Sequence, residues 1–128
     1  MTRVHDIGVS QHIGRYSDAI ECAPNSRLLF ISGTPGVRPD GTLPDGVTAQ
    51  AEQVWENIFS ALHKAGMSLA DLVKITQYLV RSEDLPAYVA VRTRALGEAR
   101  PTSTLLVVPA LVRPSYLVEV EAIAASSA

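Results

Sequence analysis

Between residues 47 and 65 the apolar side chains Val47, Ala51, Val54, Ile58, Leu62 and Ala65 recur at steps of four, three, four, four and three. That spacing draws one continuous stripe along a helix. Gly66 follows directly and suits a left-handed helix stop. Asp45 or Thr48 suits the N-cap. Shorter apolar runs of strand length flank this helix. The run Arg27-Leu28-Leu29-Phe30-Ile31-Ser32-Gly33 predicts a mostly buried strand, with Ala19 to Cys22 as its partner across a turn at Pro24-Asn25. A Gly/Pro-rich loop with a hairpin signal at Asp40-Gly41 leads into the helix. Leu72 to Val80 predicts a further strand. A second helix follows, with Asp84 as a candidate cap and Pro86 in its first turn, and it runs to Leu96 before Gly97. Two last strands fall near Ser103 to Val108 and Leu117 to Ala124.

Two helices cannot cover both faces of a sheet of five or six strands. The expected fold is therefore α+β, a mixed sheet with both helices on one face. The other face would carry residues such as Leu28, Phe30, Leu105, Val107 and Val118 or their neighbours. Leaving such surface in water costs about 25 cal/mol per Å². The pattern thus predicts that the bare face packs on another subunit, in a closed ring rather than an open array.

The length of 128 residues allows a single domain over 1–128, ending in a short Ala/Ser tail at about 125–128 that is expected to fray. Hydrophobic residues are 47% and charged residues 19%, an ordinary globular balance. A net charge of −2 argues against a nucleic-acid partner. The single cysteine, Cys22, excludes an internal disulfide framework and fits a reducing compartment. No run is long enough to span a membrane, and Met1 to Asp6 lacks the apolar core of a signal peptide. The expectation is a cytoplasmic domain.

The final strand is the segment richest in chemistry. It is apolar apart from Glu119 and Glu121, which period-two geometry places on one face about 7 Å apart. A carboxylate in such a strand needs a partner, water or a raised pKa. Either one positions water or a ligand nitrogen, or both are simply solvated. Tyr16 precedes the first long strand and offers a phenol to a ligand or to packing. The glycine in Ser32-Gly33 permits a close backbone approach by a ligand or a neighbouring segment. Ser32 lacks the surroundings of a nucleophile elbow. His5, His12, His63 and Cys22 show no metal-ligand spacing. Trp55 is read as packing. Arg92, Arg94 and Arg100 form a local basic cluster, read as a solvated helix end or, more sharply, an anion site.

Five stretches, in order, resemble the Rid family (YjgF or RidA-like proteins, also labelled L-PSP endoribonucleases). They are Ile13-Gly14-Arg15-Tyr16-Ser17-Asp18-Ala19-Ile20, Leu29-Phe30-Ile31-Ser32-Gly33-Thr34-Pro35, Gln50-Ala51-Glu52-Gln53-Val54-Trp55-Glu56-Asn57-Ile58, Ala65-Gly66-Met67-Ser68-Leu69-Ala70-Asp71-Leu72-Val73-Lys74 and Leu117-Val118-Glu119-Val120-Glu121-Ala122-Ile123-Ala124. The resemblance implies a chorismate-mutase-like fold, a homotrimer with its sheets inside, and ligand clefts between subunits. It implies hydrolytic deamination of reactive imines and enamines to carbonyl products and ammonia, with no metal and no organic cofactor. Glu119 matches the family glutamate that positions water or the substrate nitrogen. Tyr16 matches the cleft tyrosine, and Ser32 and Gly33 the strand end beside it.

The chain departs from the active deaminase pattern where that pattern has an arginine in Pro-Ala-Arg-Ser. Here it reads Arg100-Pro101-Thr102-Ser103-Thr104, so Thr102, or Ser103 in a shifted register, stands in its place. The family asparagine of the second helix falls near Val89. Losing a bidentate carboxylate grip should weaken productive binding of a small imino acid on the order of 10²-fold. Arg100 or Arg92 is a candidate substitute. Thr102, Ser103, Thr104 and Arg100 are therefore the expected polar substrate contacts. The leading expectation is a divergent small-molecule enzyme of this family. The alternatives are a non-catalytic metabolite-binding or sensing trimer and, further off, an endoribonuclease or translation inhibitor.

Overall fold

The computed structural model describes residues 2–127; Met1 and the last tail residue, Ala128, lie outside it. Its strands are β1 (Arg3–His5), β2 (Ala19–Glu21), β3 (Arg27–Pro35), β4 (Leu72–Leu79), β5 (Thr102–Val107) and β6 (Val118–Ser126). Its helices are α1 (Val47–Lys64) and α2 (Leu85–Leu96). Four strands form the main sheet in the order β3-β6-β4-β5. The β3/β6 and β6/β4 pairs are antiparallel, and β4/β5 is parallel with α2 as its crossover.

The stripe on α1 meets the sheet as its spacing requires. Val47, Ala51, Val54, Ile58 and Leu62 are buried, and α1 packs on β3, β6 and α2. Beneath it lie Val118, Val120, Ala122 and Ala124, alternate residues of β6, with Ile75 and Leu79 of β4. Trp55 is buried in this core beside Phe59, so packing is its role. Gly66, at φ +69°, turns the chain out of α1 as expected.

Several local expectations need correction. The segment β2 pairs with β1, not with β3, and the two short strands make a separate ribbon. The strand β3 is an edge strand: Leu29 and Ile31 pack on the core, but Leu28 and Phe30 are 55% and 70% exposed. The cap of α1 is Gly46, at φ +83°, with no side-chain bond from Asp45 or Thr48. Asp84 does stand at the N-cap of α2, as expected, but its side chain makes no capping bond; its carboxylate is taken by Arg81 through bonds of 2.9 and 3.2 Å. Asp40-Gly41 makes a tight turn inside the loop, closed by a 2.8 Å bond from the Gly41 N–H to the Arg38 carbonyl, with no flanking strands. The C-terminal segment stays in β6 through Ser126, where Ala125 is buried, because β3 pairs with it along that length.

Both helices lie over one face of the main sheet, as expected. The bare face carries Leu28, Phe30, Leu106 and Ile123, the first three exposed. Val118, Leu105 and Val107 do not belong to it; Val107 lies level with the buried Leu79, on the helix side. Val118 is fully buried under the helices, and Leu105 packs against the same core.

Candidate functional site

The strand β3 carries a bulge at the spot that matters. Its register against β6 runs from Ile31 opposite Ala122 to Thr34 opposite Val120, so β3 spends three steps where β6 spends two. Ser32 and Gly33 are the residues between these pairs. A bulge of this kind bends the strand and re-aims its side chains. It lays the backbone of Gly33 against the Glu119 carboxylate; a methyl group built on Gly33 would collide with Oε2 and lie 3.1 Å from Cδ. The α1 helix holds this segment from the other side. Asn57 Nδ2 donates to Thr34 Oγ1 (3.2 Å), the Pro35 carbonyl (3.2 Å) and the Val37 carbonyl (2.9 Å). Gln53 in turn donates to Asn57 Oδ1 at 2.9 Å.

Glu119 and Glu121 share the bare face, as their spacing predicts. The two differ in surroundings. Glu119 is half-buried, and its pKa is raised above the usual glutamate value, first by desolvation and then by the charge of Glu121. Glu121 is exposed and accepts a 2.6 Å hydrogen bond from the Tyr78 hydroxyl. Tyr78 lies directly across from Glu119 on β4, and its own pKa is raised, first by that bond to Glu121. Beside this pair a concavity of about 440 Å³ opens on the bare face, lined by Phe30, Ser32, Lys74, Thr76, Glu121 and Ile123. Lys74 Nζ donates to Thr104 Oγ1 at 3.0 Å. The Thr102 hydroxyl is occupied with the Val73 carbonyl at 2.5 Å.

The remaining candidates are gathered elsewhere. Tyr16 and Ser103 line a notch at the β5 edge with Arg15, Arg92, Ile75 and Pro101. An adjoining notch is lined by Arg15, Arg92 and Arg100. The N-terminal arm is fastened here through Ser17, whose N–H and hydroxyl donate to the carbonyls of Pro101 and Arg100. Arg94 leaves the cluster and pairs with Glu52 of α1 at 3.7 Å. Ser103 faces the helices, because its hydroxyl accepts a 2.8 Å bond from the buried Gln77.

The candidate residues of one chain therefore fall into two groups on opposite faces of its sheet. Glu119 is level with Leu106 of β5 through Tyr78, two strands away and three residues further along than Ser103. Strand spacing and rise put the two backbones about 14 Å apart. The sequence groups Tyr16, Thr102, Ser103 and Glu119 in one set, which the structure divides. Lys74, Tyr78 and Gln77 carry no sequence signal beyond alternation along β4. Among the described residues no three His, Cys, Asp or Glu side chains converge as metal ligands, and no helix is long and apolar enough to cross a membrane.

Residues 9–126 match the family model described as Endoribonuclease L-PSP. A RutC family protein of Pyrococcus horikoshii is 37% identical over 114 residues, 88% of this chain and 87% of the relative. A mouse protein named 2-iminobutanoate/2-iminopropanoate deaminase is 32% identical over 114 residues, 88% and 82% of the two chains. The solved structure of YyfB, a conserved Rid-family protein of Yersinia pestis, superimposes with a TM-score of 0.82 at 29% identity, over 96% of this chain and 97% of the other.

Proposed function

This chain belongs to the L-PSP endoribonuclease family, the Rid or YjgF-like proteins, and on that premise we propose that it hydrolyses a reactive imine or enamine to a carbonyl compound and ammonia, in a cleft between subunits of a homotrimer. The observation that carries this reading is the half-buried Glu119 carboxylate held against the Gly33 bulge, its pKa raised by desolvation. The upward shift makes Glu119 a stronger base than a solvated glutamate, which suits a group that takes a proton and gives it back. In the reaction, Glu119 accepts a proton from water as the oxygen attacks the C=N carbon, and the nitrogen takes up a proton. The carbinolamine then collapses to C=O, and ammonia leaves. Water supplies the oxygen, and no electrons are exchanged.

The cleft is placed between subunits in this reading because neither group of candidate residues is complete alone. Tyr16 and Ser103 cannot reach Glu119 of their own chain across the sheet. Leu28, Phe30 and Leu106 also leave an apolar bare face that a second copy would cover. The name of the mouse relative supports the reaction class.

The test is hydrolysis of 2-imino acids generated in situ by an amino-acid oxidase, with semicarbazide trapping the imine that remains. Wild-type protein should lower semicarbazone formation, and Glu119→Ala should not. Equal trapping with and without the wild-type protein would remove this reaction. The polar notch around Ser103, without the family arginine, favours a second reading, a trimer that binds a carboxylic acid without turnover. A ligand that raises the melting temperature and is recovered unchanged would support that reading. RNA cleavage rests on the family description alone. The bare-face carboxylates Glu119 and Glu121 would repel a phosphate backbone.

A further inference from the structure

We propose that Arg92, together with Arg15, is the carboxylate-binding end of the substrate site, supplying from α2 the cation that β5 lacks. This inference rests on the imine-hydrolysis reading for the identity of its ligand, a small 2-imino or 2-oxo acid.

Arg15 and Arg92 line both notches at the β5 edge, and Arg100 joins them in one. Among the described residues none of the three has a carboxylate within ion-pair distance. The pairs among the described residues are His5–Glu21, Arg81–Asp84 and Arg94–Glu52. Guanidinium groups crowded without counter-charge repel one another, and an anion placed among them removes that repulsion.

Of the three, Arg92 is the one held in position. It is half-buried, and one Nη donates to Gln77 Oε1 at 3.2 Å. Its guanidinium lies 5.9 Å from the centre of the Tyr88 ring, within cation–π range. Gln77 Oε1 also accepts from the Tyr88 hydroxyl at 2.5 Å, so both of its lone pairs are occupied. Gln77 Nε2 donates to Ser103 Oγ at 2.8 Å and to the Thr104 carbonyl at 3.2 Å. Gln77 and Tyr88 are both fully buried. Burial keeps the Tyr88 phenol protonated far above neutral pH, so it stays a donor to Gln77. A guanidinium has five N–H donors, and this network uses one. The remaining donors meet no protein acceptor among the described residues.

The notch beside Tyr16 has a volume of about 10 Å³, enough for roughly one water-sized group. It admits one carboxylate oxygen and leaves the rest of a small acid outside, beside the Tyr16 ring. Arg92 and the short Ser103 side chain line this notch together. A bidentate fork on a carboxylate is the geometry that arginine, and not lysine, provides.

The experiment is isothermal titration of the intact protein with 2-oxobutanoate and with its primary amide. The wild type should bind the acid at least about tenfold tighter than the amide, and Arg92→Met should weaken acid binding by about 10- to 100-fold. Arg92→Lys should recover only part of that loss. In the imine assay, Arg92→Met should raise KM with little change in kcat. Equal affinity of the wild type for acid and amide would overturn the proposal without any variant. So would undiminished acid binding by Arg92→Met. Acid-selective, Arg92-dependent binding by a protein that hydrolyses no imine would keep the pocket and remove only the reaction. Imine hydrolysis with an unchanged KM in Arg92→Met would do the reverse.

Discussion

The backbone of Gly33 and the carboxylate of Glu119 occupy adjoining space on β3 and β6, so close that no side chain fits at residue 33 without moving the carboxylate. The two strands are paired, and the bulge after Ile31 brings the glycine there. A glycine at a strand bulge is thus tied to the placement of the carboxylate whose pKa desolvation raises.

Gly33→Ala should therefore act on the site rather than on the fold. The atoms it would strike are the far end of a flexible side chain, which can swing away. We expect kcat/KM for imine hydrolysis to fall about tenfold or more, with a melting temperature shift of no more than a few degrees. The contrast is Gly36→Ala. A methyl there would lie 2.6 Å from the backbone oxygen of Gln50, on the buried face of α1. Backbone cannot give way so easily, so that variant should lose about 1–3 kcal/mol in denaturant unfolding.

Glu119→Gln should cost about 10²–10⁴-fold in kcat if Glu119 moves the proton. It should not destabilise the protein. Folding raises the pKa of Glu119, so its ionised form opposes folding at neutral pH, and the neutral amide removes that penalty. A melting temperature at or above wild type, with activity lost, is the expected pair of readings. Unchanged activity would take Glu119 out of the reaction.

The acid limb of the pH–rate profile should lie above the ordinary glutamate value of 4.5, because the base must be ionised to work. Desolvation is the larger cause of the shift and Glu121 the smaller. Glu121→Gln removes a negative neighbour, so Glu119 ionises more readily and the limb should move to lower pH. A limb that stays fixed in Glu121→Gln would mean that desolvation alone sets it.

The bare sheet face should associate. Light scattering of the wild type should give three times the monomer mass, and Phe30→Glu should shift the protein toward monomers. Phe30 is 70% exposed in the single chain, so the charge is tolerated there unless a second subunit covers it. A monodisperse wild-type monomer would contradict the intersubunit cleft.

Local periodicity made the helices and the core legible. The α1 stripe, the helix stop at Gly66 and the shared face of Glu119 and Glu121 follow from 3.6- and 2-residue repeats, which depend only on neighbours along the chain. The partner of a strand does not. Ala19 to Glu21 reads equally well beside β3 or beside β1, and only the folded chain selects β1. The apolar run of β3 resembles an interior strand, yet within one chain it has a neighbour on one side only.

The sequence by itself determined that two helices would cover one sheet face, that an apolar face would be left over, and that the last strand would present two carboxylates on one side. Those are matters of count and period. Only the tertiary structure decided that the bulge of β3 would meet Glu119, that Tyr78 would bond Glu121, and that Gln77 and Tyr88 would hold Arg92 beside Ser103. It also separated Tyr16 and Ser103 from Glu119, on opposite faces of the sheet. These relations join residues far apart in the chain. They are set by strand order, by register and by the hydrogen-bond partners that buried groups such as the Gln77 amide find, which no local pattern encodes.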